Sequence, residues 1–104
     1  MYTNNKLQNT APPSLCIPCV DHTLSSNEIK SVIDGLQIGD IKKIDVVPLK
    51  NNDKNLNRVF IHFYKWNQDD RIQSIYKTLK SGNCIKVIHK DPWFWKISLS
   101  KFNY

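Results

Sequence analysis

The chain has 104 residues, which is enough for one compact domain with a core of its own. Hydrophobic residues make up 40% and charged residues 23%, a balance that excludes global disorder. The formal net charge of +6 favours a polyanionic partner such as RNA or DNA, although it also suits a solvated basic surface that aids solubility. Arg58 and Arg71 are the only arginines, and lysine lacks the planar fork that reads base edges. Nucleic-acid binding should therefore lean on backbone contacts.

The chain begins without the apolar segment of a secretory leader, and no apolar run is long enough to span a membrane. These patterns predict an intracellular protein with no membrane partner, in a compartment where thiols stay reduced. Cys16 and Cys19 have a C-x-x-C spacing, but a redox pair normally lies at a helix N-terminus, and these cysteines lie on a predicted strand. Together with Cys84 and the histidines they show no zinc-ligand spacing. The sequence predicts buried thiols that pack as small hydrophobic groups, no metal and no cofactor.

An arm, a strand and a helix open the chain. Residues 1–13 are polar and end in two prolines, which is typical of a flexible arm. Residues 14–20 form a short apolar strand, and Pro18 would be tolerated best at its end. Ser25 and Glu28 fit a capping box that starts a helix. The apolar face of that helix consists of Ile29, Val32, Ile33 and Leu36.

Gly39 is expected to end this helix in the left-handed conformation. A strand follows over residues 41–49, with Ile44 and Val46 on one side, and a polar loop over residues 50–55.

Residues 57–66 alternate along a third strand. Its inward row is Val59, Ile61 and Phe63. Its outward row is Arg58, Phe60 and His62.

Asn67 is expected to cap a second helix, and Gly82 to close it. Its apolar face is Ile72, Ile75, Tyr76 and Leu79. Residues 84–89 form a fourth strand, followed by a turn over residues 90–92. Trp93 to Phe102 alternate like a fifth strand, with Trp93, Trp95, Ile97 and Leu99 on one side.

The order strand, helix, strand, strand, helix, strand predicts two split βαβ units. Such units form an α+β, ferredoxin-like sandwich, in which a four-stranded antiparallel sheet carries both helices on one face. In this chain a fifth, C-terminal strand is expected to extend the four-stranded sheet. Residues 14–102 are expected to form this single domain behind the arm of residues 1–13. The predicted core consists of Leu15, Ile17, Ile29, Val32, Ile33, Leu36, Ile41, Ile44, Val46, Val59, Ile61, Phe63, Ile72, Ile75, Leu79, Ile85 and Val87.

Two segments match the positions of known sequence motifs: a hexapeptide motif falls on Leu15 to Val20, and an octapeptide motif falls on Leu56 to Phe63. Both motifs are those of the RNA recognition motif family, which the chain resembles over residues 14–89. Gly39 to Ile41 matches that family's usual link between the first helix and the second strand. The resemblance implies the βαββαβ fold and binding to single-stranded RNA or DNA.

In this resemblance the family's base-stacking positions fall on Cys16, Arg58 and Phe60. Only Phe60 is aromatic, and Arg58 is a tolerable substitute because a guanidinium can also stack on a base. Leu56 and Asn57 replace the octapeptide's basic residue and its glycine.

A narrower resemblance involves residues 60–66 and 92–96, which are similar to small proteins of this type encoded by giant DNA viruses. It implies infected-cell cytoplasm, a virus factory or a virion as the place of action.

The outward side chains of the sheet form the candidate binding site. Stacking of a base on an aromatic ring contributes about 1–3 kcal/mol, and charge neutralisation adds a salt-dependent contribution. The predicted nucleic-acid-binding residues are Lys43, Arg58, Phe60, His62, Lys86, Phe94 and Lys96.

The same face could instead bind a protein, a second copy or the chain's own tail, with the segment Trp93 to Trp95 as an anchor. His62 and Asp45 could form an acid–base pair, but no nucleophile, paired carboxylate or phosphate loop accompanies them. The sequence therefore predicts a non-catalytic binding module with no catalytic residues.

Overall fold

The computed structural model describes residues 12–49, 55–90 and 93–100. The predictions of a flexible arm before Pro12, a polar loop at residues 50–54, a turn at residues 91–92 and a strand end at Phe102 lie outside these residues. The elements are β1 (Leu15–Asp21), α1 (Ser26–Leu36), β2 (Gly39–Pro48), β3 (Leu56–Trp66), α2 (Asp70–Lys80), β4 (Ile85–Lys90) and β5 (Trp93–Leu99). Within the described residues, neither helix has the length and apolar character needed to cross a membrane.

The five strands form one antiparallel sheet in the order β2-β3-β1-β5-β4. The α+β class is confirmed, but the prediction of a four-stranded sheet that a fifth strand extends is wrong in strand count and order, because β5 lies between β1 and β4 within one five-stranded sheet. β5 lies beside β1, where Leu99 pairs with Leu15, and β4 is displaced to the sheet edge. This placement buries the inward row of β5, since Trp95 and Ile97 are 3% and 0% exposed.

One apolar cluster joins both helices to a single face of the sheet. We call this the inner face and the opposite one the outer face. Most of the predicted core is confirmed as buried or partly buried, and the prediction that Val46 is buried is wrong. Val46 is 37% exposed because β2 is an edge strand. The buried apolar residues are Leu15, Ile17, Val20, Ile29, Ile33, Ile38, Val59, Ile61, Phe63, Ile72, Leu79, Val87, Trp95 and Ile97.

Pro18 lies inside β1 and not at its end. The pairing of β1 with β3 shifts register between Ile17 and Val20, so Pro18 and Cys19 occupy an irregular stretch. A bulge tolerates a residue that cannot donate to the ladder.

Two of the four predicted helix ends are correct. The capping box of Ser25 and Glu28 is present, with hydrogen bonds of 3.0 and 3.1 Å. Gly82 follows the end of α2 with a φ of 95°. Asn67 does not cap α2, because Asp69 accepts the hydrogen bond from the first turn.

The C-terminus of α1 ends at Gln37 and not at Gly39. Gln37 adopts the left-handed conformation, with a φ of 55°. The Asn67 side-chain amide donates to the Gln37 carbonyl at 2.7 Å, and the Arg71 guanidinium donates to the Leu36 carbonyl. These partners satisfy carbonyls that the helix end leaves open, so the turn forms without glycine.

Gly39 is instead required by the close approach of two strands. It pairs with Trp66, and a Cβ atom at position 39 would lie 2.2 Å from the Lys65 carbonyl oxygen and 2.7 Å from the Trp66 Cα. Both neighbours are backbone atoms, which cannot move without shifting β3.

We expect Gly39→Ala to lower the free energy of unfolding by about 1–3 kcal/mol, because β2 and β3 must separate to admit the methyl group. Gly35→Ala is the matched control: Gly35 lies in α1 with nothing within 4 Å of an added Cβ, so this change should add about 0.5–1 kcal/mol. Urea unfolding of both variants measures the difference. Equal stability of the two variants would contradict the close approach.

Candidate functional site

All seven predicted binding residues belong to the outer face of the sheet. β3 supplies Arg58, Phe60 and His62 to this surface, because these residues alternate with the buried Val59 and Ile61. The register places Lys43 opposite His62, and Lys86 opposite Lys96. Phe94, the seventh, pairs with Ile88, and the other outer-face side chains are Cys16, Asp45, Val47, Tyr64, Ile88 and Ser98.

Phe60 lies on β3, next to the central strand β1. Cys16 of β1 pairs with Phe60 on one side and with Ser98 of β5 on the other, so the three lie in one row across the sheet. Burial raises the pKa of the Cys16 thiol, and the Arg58 guanidinium only partly offsets the rise. Phe60 is partly exposed and Arg58 is exposed, so a ring and a cation are accessible beside an uncharged thiol.

His62 is 1% exposed, although its position in β3 assigns it to the outer face. Its Nε2 lies 2.9 Å from Asp45 Oδ2, and its Nδ1 lies 2.8 Å from the hydroxyl of Ser14, which is also 1% exposed. When the imidazole is neutral, Nε2–H donates to the carboxylate and the Ser14 hydroxyl donates to Nδ1. His62 therefore positions neighbouring strands and does not present its ring to a ligand.

Ser14, His62 and Asp45 are the residue types of a hydrolytic triad. In such a site the serine hydroxyl must reach a substrate carbonyl beside oxyanion donors. Ser14 is buried, so its hydroxyl has no access to a substrate. The arrangement is a buried hydrogen-bond network.

Asp45 reduces the positive charge on the β2 side of the outer face. Its Oδ2 atom lies 3.8 Å from the Lys43 ammonium nitrogen, in addition to the contact with His62. Lys43 is half-exposed and could still approach a phosphate, but the carboxylate beside it would repel the same group.

On the β4–β5 side, the cations have no acidic neighbour among the residues that the structure describes. Among the described residues neither Lys86 nor Lys96 forms an ion pair. The Lys86 ammonium lies 5.0 Å from the centroid of the Phe94 ring, and Phe94 is 45% exposed. Ile88 pairs with Phe94 and is 66% exposed, so this half of the face is both basic and apolar.

Tyr64 and Ser14 are among the outer-face residues that the sequence prediction missed. Tyr64 shares the parity of Phe60 and is 66% exposed, so its position in the alternation could have identified it. Ser14 could not have been found, because its contact with His62 joins residues 48 positions apart.

The cysteines depart from the prediction of buried thiols. Cys19 and Cys84 are exposed, and Cys16 is only partly buried. Across residues 12–49, 55–90 and 93–100, no cluster of three or more His, Cys, Asp or Glu residues could hold a metal ion.

A cavity of about 360 Å³ lies away from the predicted binding residues. Trp66 forms its wall with Tyr76, whose ring centroid is 5.7 Å away, and the Trp66 indole N–H donates to the Pro13 carbonyl at 2.9 Å. Pro12 also lines the cavity, so the last two residues of the predicted arm pack against the domain.

Neither a scan of protein-family models nor searches of curated proteins and of solved structures find a match to this chain.

We expect Cys16 to be alkylated by iodoacetamide at mildly alkaline pH more slowly than Cys19 or Cys84, because burial raises its pKa and limits access. Peptide mass spectrometry of a time course measures the three rates. Arg58→Gln should slow Cys16 further, since the guanidinium lowers that pKa, and should leave Cys84 unchanged. A Cys16 that reacts first would contradict this assignment and favour redox chemistry.

We expect Ser14→Ala to lower the free energy of unfolding by about 1–3 kcal/mol, because the buried His62 ring loses a hydrogen bond. Ser74→Ala on the exposed side of α2 is the control and should change stability by less than about 0.5 kcal/mol. Chemical unfolding of both variants tests the network, which fails if Ser14→Ala is as stable as the control.

Proposed function

We propose that this chain is a non-catalytic module that binds single-stranded RNA or DNA through its outer face with little sequence preference. The observation that carries the proposal is the accessible pair of Phe60 and Arg58 on β3, beside the central strand, with Lys86 and Lys96 on the same face of the sheet. Aromatic rings stack on bases of any identity, and cations follow the phosphate backbone.

The composition of the face supports binding without sequence readout. Base-specific recognition uses forked or amide side chains aimed at base edges. The outer face has one arginine, and Arg71, the other arginine of the chain, is held by the Leu36 carbonyl at the end of α1. Lysines fix a backbone without reading its sequence.

The face contributes to binding unequally. His62 is buried and Lys43 lies beside Asp45, so these predicted residues support the sheet more than they contact a ligand. The proposed contacts come from Arg58, Phe60, Lys86, Phe94 and Lys96.

The test is fluorescence anisotropy with labelled homopolymers of about twelve nucleotides, as RNA and as DNA. We expect the double variant Arg58→Ala, Phe60→Ala to weaken binding at least about tenfold, since one stacked base and one cation are lost. The control is Lys77→Ala, Lys80→Ala on α2, which removes two exposed charges from the helix side. No binding at low salt, or equal loss in both double variants, would contradict the proposal.

A protein-interaction module, such as a virion or complex subunit, is the second candidate. It is favoured by the exposed pair of Ile88 and Phe94, because adjacent apolar side chains at a sheet edge often mark a docking surface. Light scattering during size-exclusion chromatography distinguishes the candidates: a dimer that Ile88→Asp dissociates would support self-association, and a monomer would oppose it.

A further inference from the structure

We infer that a nucleic-acid strand crosses the outer face perpendicular to the β-strands, along a row of three cations that ends on the β4–β5 hairpin. This inference rests on the proposed function and assigns the path of the phosphate backbone. The row consists of Arg58, Lys96 and Lys86.

The register defines the row. Phe60 and Ser98 both pair with Cys16, so they are level on the two sides of β1. β3 and β5 both run antiparallel to β1, so Arg58 and Lys96 each lie two residues back from this shared level along their own strands, beside the stretch where β1 is irregular at Pro18 and Cys19. Lys86 lies directly opposite Lys96 on the next strand.

The spacing of the row suits a polyanion. Arg58 and Lys96 are separated by two strand spacings, or about 10 Å, and Lys96 and Lys86 by one, or about 5 Å. A strand that follows the row passes three cations within about 15 Å of sheet width.

An aromatic ring lies on each side of the row. Phe60 follows Arg58 by two residues on β3, and Phe94 precedes Lys96 by two residues on β5, so each ring lies about 7 Å from the row along its strand. The two steps point in opposite directions. Bases on either side of a central phosphate path therefore have a ring to stack on.

Charge excludes the alternative path toward β2. There Asp45 lies 3.8 Å from the Lys43 ammonium and 43% of its side chain is exposed, so phosphates would meet a carboxylate. Tyr64 extends the outer face beyond His62, but none of the three cations of the row lies beside it.

The cross-strand pair of Lys86 and Lys96 also points to an anionic occupant. Like charges directly opposite each other destabilise an antiparallel pair, and no described acid relieves these two. A phosphate placed between them would remove the repulsion.

The experiment measures the salt dependence of binding to a fluorescein-labelled oligothymidylate of about twelve nucleotides between about 50 and 200 mM salt. Three phosphate contacts on a single strand predict a slope of log K against log salt near −2, because each contributes about −0.7. Lys86→Gln, Lys96→Gln should bring the slope about 1.4 closer to zero. Lys77→Gln, Lys80→Gln on α2 should leave it unchanged.

Ring variants test the same path independently of charge. Phe94→Ala should weaken binding at least about fivefold, whereas Tyr64→Ala should not, although Tyr64 is the more exposed ring. Thermal unfolding checks each variant, and the Lys86→Gln, Lys96→Gln protein should be at least as stable as the parent because the repulsion is removed.

The outcomes separate the two proposals. If the parent protein does not bind the oligonucleotide at low salt, the proposed function fails and the path fails with it. If the parent binds and loses affinity with Arg58→Ala, Phe60→Ala, but the Lys86→Gln, Lys96→Gln slope stays unchanged, the function stands and the path is overturned. Loss of affinity in Tyr64→Ala with no effect of Phe94→Ala would also overturn it.

Discussion

The pairing of β5 with β1 is the constraint on which the rest of the molecule depends. β1 is the central strand, and Leu15 pairs with the buried Ile61 of β3 on one side and with the partly buried Leu99 of β5 on the other. This placement buries the inward row of β5 against the helices and forces β4 to the edge as the outer half of a hairpin. The pairing of β5 with β1 also widens the outer face, because β4 adds Lys86 and Ile88 beyond β5, which carries Lys96.

The two halves of the outer face have different physical characters. On the β2 side, polar groups are paired: Asp45 lies between the buried His62 and Lys43, which limits both net charge and side-chain freedom. On the β4–β5 side, Lys96 has no described acidic partner and Phe94 is half-exposed. One half of the face is hydrogen-bonded and orders the sheet, whereas the other half is charged, apolar and accessible. This combination suits a binding platform.

The hydrophobic periodicity of the sequence predicted which way the side chains of a strand point. It did not predict burial and strand order, which depend on pairing between segments far apart in the sequence. The alternation of Val59, Ile61 and Phe63 identified the inner face of β3 correctly, because side-chain direction depends only on strand geometry. It could not identify Val46 as exposed, since that depends on β2 having no neighbour on one side. The burial of His62 likewise depends on a sheet environment that includes Ser14, a partner far away in the sequence. The largest such error concerns the positions of β4 and β5 in the sheet. Both segments have the alternating pattern of a strand, so the pattern does not determine which of them pairs with β1.

Positions that break a local rule without structural gain are expected at functional surfaces. Gly39 is not such a position, because the backbone of β3 accounts for it. The β4–β5 hairpin breaks two rules: Lys86 and Lys96 repel each other across the strands, and Ile88 and Phe94 expose apolar area to water. The repulsion and the exposed apolar area do not stabilise the isolated chain, and both would become favourable in the proposed complex with a nucleic-acid strand. Cys16 brings no ring to the centre of the sheet, so in the proposed complex the ring of Phe94 on the β4–β5 hairpin would supply a second stacking contact beside Phe60.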